Sequence, residues 1–584
     1  MKVAWIATVL LSLCSALAAA NTVTPLDALT TIDPRTGHSV TGIGGDGGTD
    51  WQKANPIWDG HTVQVHAARG ETMTVQLVFT DWESHPLQGI DIHLDLPQVA
   101  DQQAWRAWCI WGAPEIAVPL AKPAPSFDLP SKSSLEVEPF SKGVYKAWSA
   151  GIDFTVPRDT KPGSYTGTLV VTAKSGMEPQ KFPVALEVLP FDLPRRPTLL
   201  VEMNSYGDYE KFLKRDPATY IAIQRLMRAH RCSFVEIPYD HAGSIDPGYL
   251  APQVIHGKDG ALAFDWKEFD AAVGPVLDGS AFADKVPVTH FTLPFNYNWP
   301  VSFRMNSQNP AEYRKENIEA RKLFAAHFRE KGWKDTVFVE FHNEKKNGSI
   351  HWDLDEPQSA SDLQGHELFA GFLEDALKDE APGGATFRYR VDISNWKRSG
   401  SALEKLAPKI QFWSVSRDPG FLNATSAAMF RKFADAQHGW VIDYGELEGF
   451  ESGGKLVNGS TFDRYARNCW ELHLNGYEQW MIDLWACKGR NAPTEPLMYS
   501  QAAGARDLIW PGNYFGSAEP LPSLRLKAIR ESMNLIDYAT MAEQKRPEKK
   551  AAIDALIHGL DSDTAASHFA AKAELAGMLK EKGK

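Results

Sequence analysis

Two adjacent carboxylates are the clearest sign of chemistry in this chain. Asp355 and Glu356 follow Trp352 closely and are themselves followed by Pro357. Two carboxyl groups held close together have their pKa values pushed apart, so that one stays protonated while the other stays charged. Acid/base chemistry on a glycosidic bond needs that division. A solvated acidic loop is the competing interpretation, and the pair alone does not decide between them.

The surrounding sequence predicts a (β/α)8 barrel, because eight apolar runs alternate with helical stretches. The predicted strands are Leu199–Ser205, Phe234–Tyr239, His290–Phe295, Val337–His342, Phe387–Ile393, Ile410–Val415, Gly439–Tyr444 and Gln479–Leu484. Predicted helices include Ala218–His230, Asn317–Lys331, Leu363–Leu377 and Thr425–Ala436. Turn signals between the second and third strands predict an additional hairpin there. The Asp-Glu pair falls just beyond the fourth strand, and Pro357 favours extended geometry at Glu356.

The predicted fold is multidomain: an N-terminal all-β sandwich, a TIM-like barrel and a helical C-terminal segment. Residues 1–20 have the charged start, short apolar run and small residues of a signal peptide. Short alternating runs and turns predict a sandwich over 21–195. A proline-rich linker introduces the barrel, 196–523, and an amphipathic pattern predicts helix over 524–584.

Composition narrows the class of protein. The net charge of -12 argues against nucleic acid and anionic membranes as partners. Beyond the short N-terminal apolar run, nothing predicts a membrane span, so we expect a periplasmic or secreted protein. Cys469 and Cys487 could pair or remain free thiols, and no cysteine spacing is typical of a metal site. We expect no cofactor and no metal; the sequence does not indicate an oligomeric state.

Function in a barrel lies at the carboxyl ends of the strands. These ends, with the segment around the pair, supply polar and aromatic candidates for substrate binding: Asn343, Trp352, Asp392, Trp413, Tyr444 and Trp485. Flat sugar rings stack on such aromatics. A rival pair exists, since Glu344 ends the fourth strand and Glu446 follows the seventh. Together they could serve a two-carboxylate retaining glycosidase acting on a glycan without an acetamido group.

Four elements in this order resemble glycoside hydrolase family 123. They are a sandwich turn at 156–167, the linker Phe191-Asp192-Leu193-Pro194, the Asp355-Glu356-Pro357 triplet, and a late segment from Trp510 to Arg530. The resemblance implies a β-N-acetylgalactosaminidase-like hydrolase of oligosaccharides or polysaccharides that works by substrate assistance. Asp355 would orient the acetamido group and Glu356 would act as acid and then base. In the family pattern the pair ends the fourth strand directly, whereas here a longer segment separates them.

A third possibility is a carbohydrate-binding barrel without catalysis. The polar and aromatic residues at the strand ends would then still bind a glycan, and no glycan would be hydrolysed.

Overall fold

The computed structural model describes residues 22–80, 87–110, 113–119, 127–129, 145–174, 177–211, 213–244, 248–258, 260–346, 351–379, 383–447, 451–452, 455–483, 507–515 and 517–581. The predicted signal peptide, Trp485 and Cys487 lie outside these residues.

Eight parallel strands form a nearly closed, TIM-like barrel. In chain order they are Leu200–Ser205, Ser233–Glu236, His290–Thr292, Val337–Phe341, Thr386–Ile393, Phe412–Ser416, Trp440–Gly445 and Gly476–Gln479. Their order around the sheet is 2-1-8-7-6-5-4-3, and all the neighbouring pairs are parallel. The second and third strands are the two ends of this order and lie beside each other. The barrel prediction is therefore confirmed.

Helices cover the outside of the barrel. They are Pro217–Ala229, Lys267–Leu277, Arg304–Gln308, Pro310–Lys331, Ala360–Leu377, Ser401–Leu406, Ala424–Asp435 and Asp463–Glu471. The predicted hairpin is present as Gln253–His256 paired with Leu262–Asp265. Other short antiparallel pairs are Val40–Thr41 with Gly45–Asp46, Glu451–Ser452 with Lys455–Leu456, and Ile509–Trp510 with Leu521–Pro522.

The prediction for the eighth strand was wrong in position. The strand ends at Gln479, where the sequence pattern had it begin. Gly476 approaches the first strand so closely that a Cβ there would lie 1.8 Å from the carbonyl oxygen of Leu200. Glu478 is buried in this strand because it pairs with Arg390 inside the barrel. Because this strand contains a buried charged residue, a search for apolar runs does not identify it as a strand.

Two five-stranded sheets precede the barrel. The first contains Thr22–Leu26, Thr72–Thr80, Ala147–Thr155, Ala100–Ile110 and Ala113–Pro119 in spatial order; the second contains Val63–Arg69, Gln180–Asp192, Gly163–Thr172, Leu87–Asp95 and Phe127–Leu129. Buried side chains from both sheets belong to one hydrophobic cluster, which includes Val75 and Ile152 from the first and Leu169 and Val184 from the second. This shared core is why alternating apolar residues recur along the strands.

The C-terminal helices are Leu524–Lys545, Lys550–His558 and Ala566–Lys580. The first is buried along most of its length rather than exposed as a tail. Buried ion pairs join these helices to the first sheet and the loop before it: Arg525 with Glu115 at 2.8 Å, Lys527 with Asp153 at 2.5 Å, and Lys572 with Glu71 at 2.6 Å. No helix within the described part of the chain is long and apolar enough to cross a membrane.

Candidate active site

The loop that carries the Asp-Glu pair folds back onto the end of the fourth barrel strand. The backbone N–H groups of Leu354 and Asp355 both donate to the carbonyl oxygen of Glu344, at 2.8 and 3.2 Å. The N–H of Lys346 donates to the Asp353 carboxylate at 2.7 Å, which closes the loop on itself. The longer connection therefore returns the pair to the mouth of the barrel, where a directly attached pair would lie.

The other side of the loop is held by the helix Ala360–Leu377. Asp362 in its first turn accepts hydrogen bonds from the N–H of Asp353 at 3.2 Å and of Gln358 at 3.1 Å. Ser359 caps the helix by accepting from the N–H of Asp362. The pair is thus fixed from both sides by backbone contacts.

Glu356 has a backbone φ of 54°. The expectation of an extended Glu356 before Pro357 was therefore wrong. A non-glycine residue in this region costs on the order of 1–3 kcal/mol and persists only where surrounding contacts enforce it. Neighbours on a regular strand point to opposite faces, whereas Asp355 and Glu356 line the same cavity. The strained turn at Glu356 breaks that alternation, so that both side chains can face the cavity.

The cavity has a volume of about 280 Å³ and opens at the carboxyl ends of the strands. That is close to the lower limit for ordinary ligand pockets, roughly 300 Å³. Its lining residues are Asn204, Tyr206, Ile237, His241, Phe341, Lys345, Asp355, Glu356, Asp392, Tyr444, Gly445, Glu446, Glu478 and Trp480. The lining thus combines several carboxylates with three aromatic side chains that carry a polar group, a surface suited to a small polyhydroxylated ligand.

Asp355 is ion-paired on one side of the cavity. Its Oδ2 lies 3.0 Å from Nζ of Lys345 and 3.8 Å from Nδ1 of His241. The same His241 nitrogen lies 2.8 Å from the carbonyl oxygen of Asn343 and donates its proton there. Lys345 is therefore the main cationic partner of Asp355.

Glu356 faces a different set of neighbours. The hydroxyl of Tyr444 donates a hydrogen bond to its Oε1. Burial, together with the nearby charges of Asp355 and Asp392, raises the pKa of the Glu356 carboxyl to about 7, although Lys345 opposes the shift. The group can therefore hold or release a proton near neutral pH, which is what a general acid and base must do.

A buried charge network forms the floor of the cavity. Arg390 reaches both carboxylate oxygens of Asp392, at 2.6 and 2.8 Å, and also bonds Glu202 and Glu478. Burial raises the pKa of Asp392 above its usual range even though Arg390 opposes it. These carboxylates point inward from three different strands and share one guanidinium, so Asp392 is held rigidly where it meets the cavity.

The predicted substrate-binding residues divide into two groups. Asp392 and Tyr444 line the cavity, but Asn343 is buried and donates from Nδ2 to the Tyr206 hydroxyl at 2.6 Å. Trp352 packs on Tyr297 and Gly365, away from the cavity lining.

Trp413 does not line the cavity either. It is fully buried and packs against Phe430 and Phe433 of a barrel helix. Its neighbour Ser414 points inward instead and bonds Glu478 at 3.2 Å. Trp485 lies outside the described residues, so its predicted role stays a prediction.

The rival carboxylates are arranged differently. Glu344 is completely buried, and its Oε1 accepts from the backbone N–H of Tyr297 at 2.6 Å. Its Oε2 lies 3.6 Å from Nδ1 of His342. Glu446 is exposed and lines the cavity. Glu344 thus serves the packing behind the cavity, which disfavours a two-carboxylate mechanism through Glu344 and Glu446.

Several cavity residues were missed or left unassigned in the sequence prediction. Tyr206, His241 and Lys345 each stand one to five residues beyond a strand, where lining residues are expected, but their neighbours looked equally suitable. Trp480 and Glu478 were missed because the eighth strand was placed too late. Position at the end of a strand was the signal that could have identified these cavity residues. The sequence did not show in which direction each side chain points.

A larger cavity of about 700 Å³ lies between the N-terminal sheets and the helix Ala566–Lys580. Its lining is mainly apolar and includes Trp51, Met73 and Phe569. Its buried cation, Lys572, is neutralised by Glu71, so the barrel mouth is better suited to acid/base chemistry.

Within the ranges that the structure describes, no three His, Cys, Asp or Glu residues are grouped so as to hold a metal ion. Cys232 and Cys469 are free, buried thiols, and Cys109 is buried as well.

Comparison with solved structures supports the resemblance. The chain is similar over 96% of its length, and over 97% of the other chain, to a family 123 glycoside hydrolase from Clostridium perfringens, with a TM-score of 0.60 and 14% identity. A putative α-galactosidase from Bacteroides fragilis aligns with a TM-score of 0.28 and 11% identity over 81% of this chain and 77% of its own. An endo-β-1,4-mannanase from Thermotoga petrophila aligns at 0.32 and 12% over 59% and 77%.

No protein-family model matches the sequence, and no curated protein matches it. The similarity to the family 123 enzyme therefore establishes a shared fold across nearly the whole chain. At 14% identity the chemistry has to be argued from the residues themselves.

Proposed function

We propose that this protein is an exported glycoside hydrolase that cleaves glycans carrying a 2-acetamido sugar, with β-linked N-acetylgalactosamine favoured. One observation carries the proposal: two adjacent carboxylates share one cavity but have different surroundings. Asp355 is paired with Lys345, while Glu356 has a pKa raised to about 7. Different environments for two neighbouring carboxylates are the mark of divided acid/base roles.

In this scheme the substrate supplies its own nucleophile. The acetamido oxygen attacks the anomeric carbon, and the protein needs no covalent partner. Asp355 accepts a hydrogen bond from the acetamido N–H and stabilises the positive charge of the oxazolinium-like intermediate. Glu356 donates its proton to the departing oxygen and then removes a proton from the incoming water. Both steps require Glu356 to exchange a proton near the working pH, in keeping with its raised pKa.

The rest of the cavity suits a sugar. Tyr206, Tyr444 and Trp480 offer aromatic faces beside polar groups, and the carboxylate of Asp392 can accept from ring hydroxyls. A solved family 123 glycoside hydrolase, described in terms of glycolipid glycan hydrolysis, shares the fold. The N-terminal segment supports export to the periplasm or beyond the cell.

A matched panel of aryl glycosides tests the proposal. We expect hydrolysis of β-N-acetylgalactosaminides or related 2-acetamido glycosides, and no turnover when the 2-substituent is a hydroxyl, because the internal nucleophile is then missing. Asp355→Asn should lose most of the activity on the acetamido substrate. Asp353→Asn is the control, since Asp353 lies in the same loop and holds the N–H of Lys346 outside the cavity. Equal turnover of both substrate classes would refute substrate assistance, and no turnover of any glycan would favour a binding protein.

A further inference from the structure

Tyr444 is the penultimate residue of the seventh barrel strand, and its hydroxyl reaches across the mouth of the barrel to Glu356. Glu356 lies in the loop after the fourth strand, and strands 5 and 6 separate strands 4 and 7 in the sheet. Among the described residues, Tyr444 is the hydrogen-bond partner found for the Glu356 carboxyl group. Gln358 bonds the backbone carbonyl of Glu356 at 2.8 Å, which leaves the carboxyl orientation to Tyr444.

A phenol that donates to one carboxyl oxygen makes the two oxygens unequal. Oε1 already accepts the tyrosine proton, so protonation at that oxygen would require the phenol to turn from donor to acceptor, whereas protonation at Oε2 leaves the hydrogen bond as it is. The acid proton is therefore favoured on Oε2. A glutamate has three side-chain torsions and loses rotamer entropy when it is fixed, so a single well-placed donor can decide which oxygen faces the substrate.

We propose that Tyr444 is a positioning residue that fixes the Glu356 carboxyl and confines its transferable proton to Oε2. The inference rests on the proposed hydrolase function. As the bond between the anomeric carbon and the leaving oxygen breaks, the leaving oxygen keeps the bonding electrons and takes the proton from Oε2. In the second half, the same Oε2 takes a proton from the water that attacks the anomeric carbon and releases the acetamido oxygen. The enzyme returns to its starting protonation state.

This role differs from the one that the sequence indicated, where Tyr444 was a candidate for substrate binding. A residue that only binds the sugar contributes equally whatever the leaving group is. A residue that orients the general acid affects kcat most when the substrate has a poor leaving group, because only then is protonation of the leaving oxygen required in the transition state. The two roles can therefore be separated by varying the leaving group at a constant sugar.

The test compares Tyr444→Phe with the intact enzyme on two β-N-acetylgalactosaminides, one with a 4-nitrophenyl leaving group and one with an alkyl or sugar leaving group. We expect kcat on the poor leaving group to fall by about 10–100-fold, part of the roughly 10²–10⁴-fold that general acid catalysis contributes. On the activated aryl substrate kcat should fall far less, and KM should change little on either substrate.

Tyr206→Phe is the matched control. Tyr206 also lines the cavity, but its hydroxyl accepts from Asn343 at 2.6 Å, and among the described residues the hydrogen bond to the Glu356 carboxyl comes from Tyr444. Its removal should affect both leaving groups alike. Equal losses on the two substrates for Tyr444→Phe, or no loss on either, would overturn the positioning role while leaving the hydrolase proposal intact.

A structural readout keeps the inference testable without any assay. A crystal structure of Tyr444→Phe should show the Glu356 carboxyl in a new or mixed orientation. If the carboxyl keeps a single, unchanged orientation, Tyr444 does not position it. If the intact enzyme hydrolyses no 2-acetamido glycoside, that result counts against the proposed function instead. Failure of the positioning role and failure of the proposed function therefore give different results.

Discussion

Glu344 and Glu356 are the same residue type, twelve positions apart, and both lie beyond the fourth strand of one barrel. Glu344 is completely buried, and its carboxylate holds the backbone N–H of Tyr297. Glu356 lines the cavity, bonds the side chain of Tyr444, and has a pKa raised to about 7. The strand-end position, which made Glu344 the rival candidate from sequence, is thus used for packing. The later residue, on a strained turn, meets the solvent-accessible pocket.

The comparison shows that a carboxylate must lie at the barrel mouth to act on a substrate, but that this position alone does not make it catalytic. A carboxylate bonded to backbone is committed to the fold. A carboxylate that is bonded through one oxygen to a side-chain hydroxyl and lines a cavity can still exchange its proton with a ligand. The following experiments probe this distinction, beginning with the largest expected effect.

Glu356→Gln should nearly abolish turnover, by about 10²–10⁴-fold in kcat, because the amide cannot donate and recover a proton. Near pH 4.5 the free energy of unfolding should change little, since the amide keeps the shape of the protonated carboxyl and can still accept from Tyr444. Steady-state kinetics and urea unfolding measure the two quantities. If turnover persists, the assignment of catalysis to Glu356 and of packing to Glu344 is contradicted.

Glu344→Ala should act mainly on the fold. It leaves the N–H of Tyr297 buried without its acceptor and removes a charge close to His342. We expect a loss of about 3 kcal/mol in the free energy of unfolding, the lower end for breaking a buried charged contact. Urea unfolding of this variant beside Glu446→Gln provides the measurement. An unchanged stability together with lost turnover would restore Glu344 as a catalytic candidate.

The raised pKa of Glu356 predicts a pH dependence of both activity and stability. Because Glu356 must be protonated to act as acid, kcat/KM should fall about tenfold per pH unit above its pKa of about 7. The same shift lowers stability as pH rises from about 4.5 to about 7, since the folded state binds a proton there that the unfolded state has released. Pre-steady-state and steady-state rates across pH 5–9 measure the first effect.

Glu356→Gln should remove the stability slope that Glu356 contributes between pH 4.5 and 7. Urea unfolding at both ends of this window, for the variant and the parent chain, gives the comparison. An identical slope in the two proteins would mean that the Glu356 carboxyl titrates normally.

The smallest effect is expected at Lys345. Its ammonium pairs with Asp355 and also opposes the rise in the pKa of Glu356. Lys345→Gln should therefore move the basic limb of kcat/KM to higher pH. The side chain is 56% exposed, so stability should change by less than about 1 kcal/mol. A limb that moves to lower pH would contradict this electrostatic assignment.

Much of the architecture was legible in the sequence. Seven barrel strands and the helix Ala360–Leu377 lie close to their predicted positions because apolar runs mark buried parallel strands. The eighth strand was misplaced because Glu478 is buried by an ion pair rather than by apolar packing. Asp355 and Glu356 were likewise readable as a pair, since residue type and neighbourhood are local properties.

The sequence by itself therefore determined the barrel, seven of its eight strands, and the adjacent pair Asp355-Glu356 at its mouth. Only the tertiary structure decided their use. Trp413 turned outward to Phe430, Glu344 turned inward to Tyr297, and Glu356 met Tyr444 from a strand across the barrel. Periodicity is set by local backbone geometry, whereas the direction and protonation of a side chain depend on residues far away in the chain. That dependence is why the adjacent carboxylates could be found in the sequence but not told apart from Glu344.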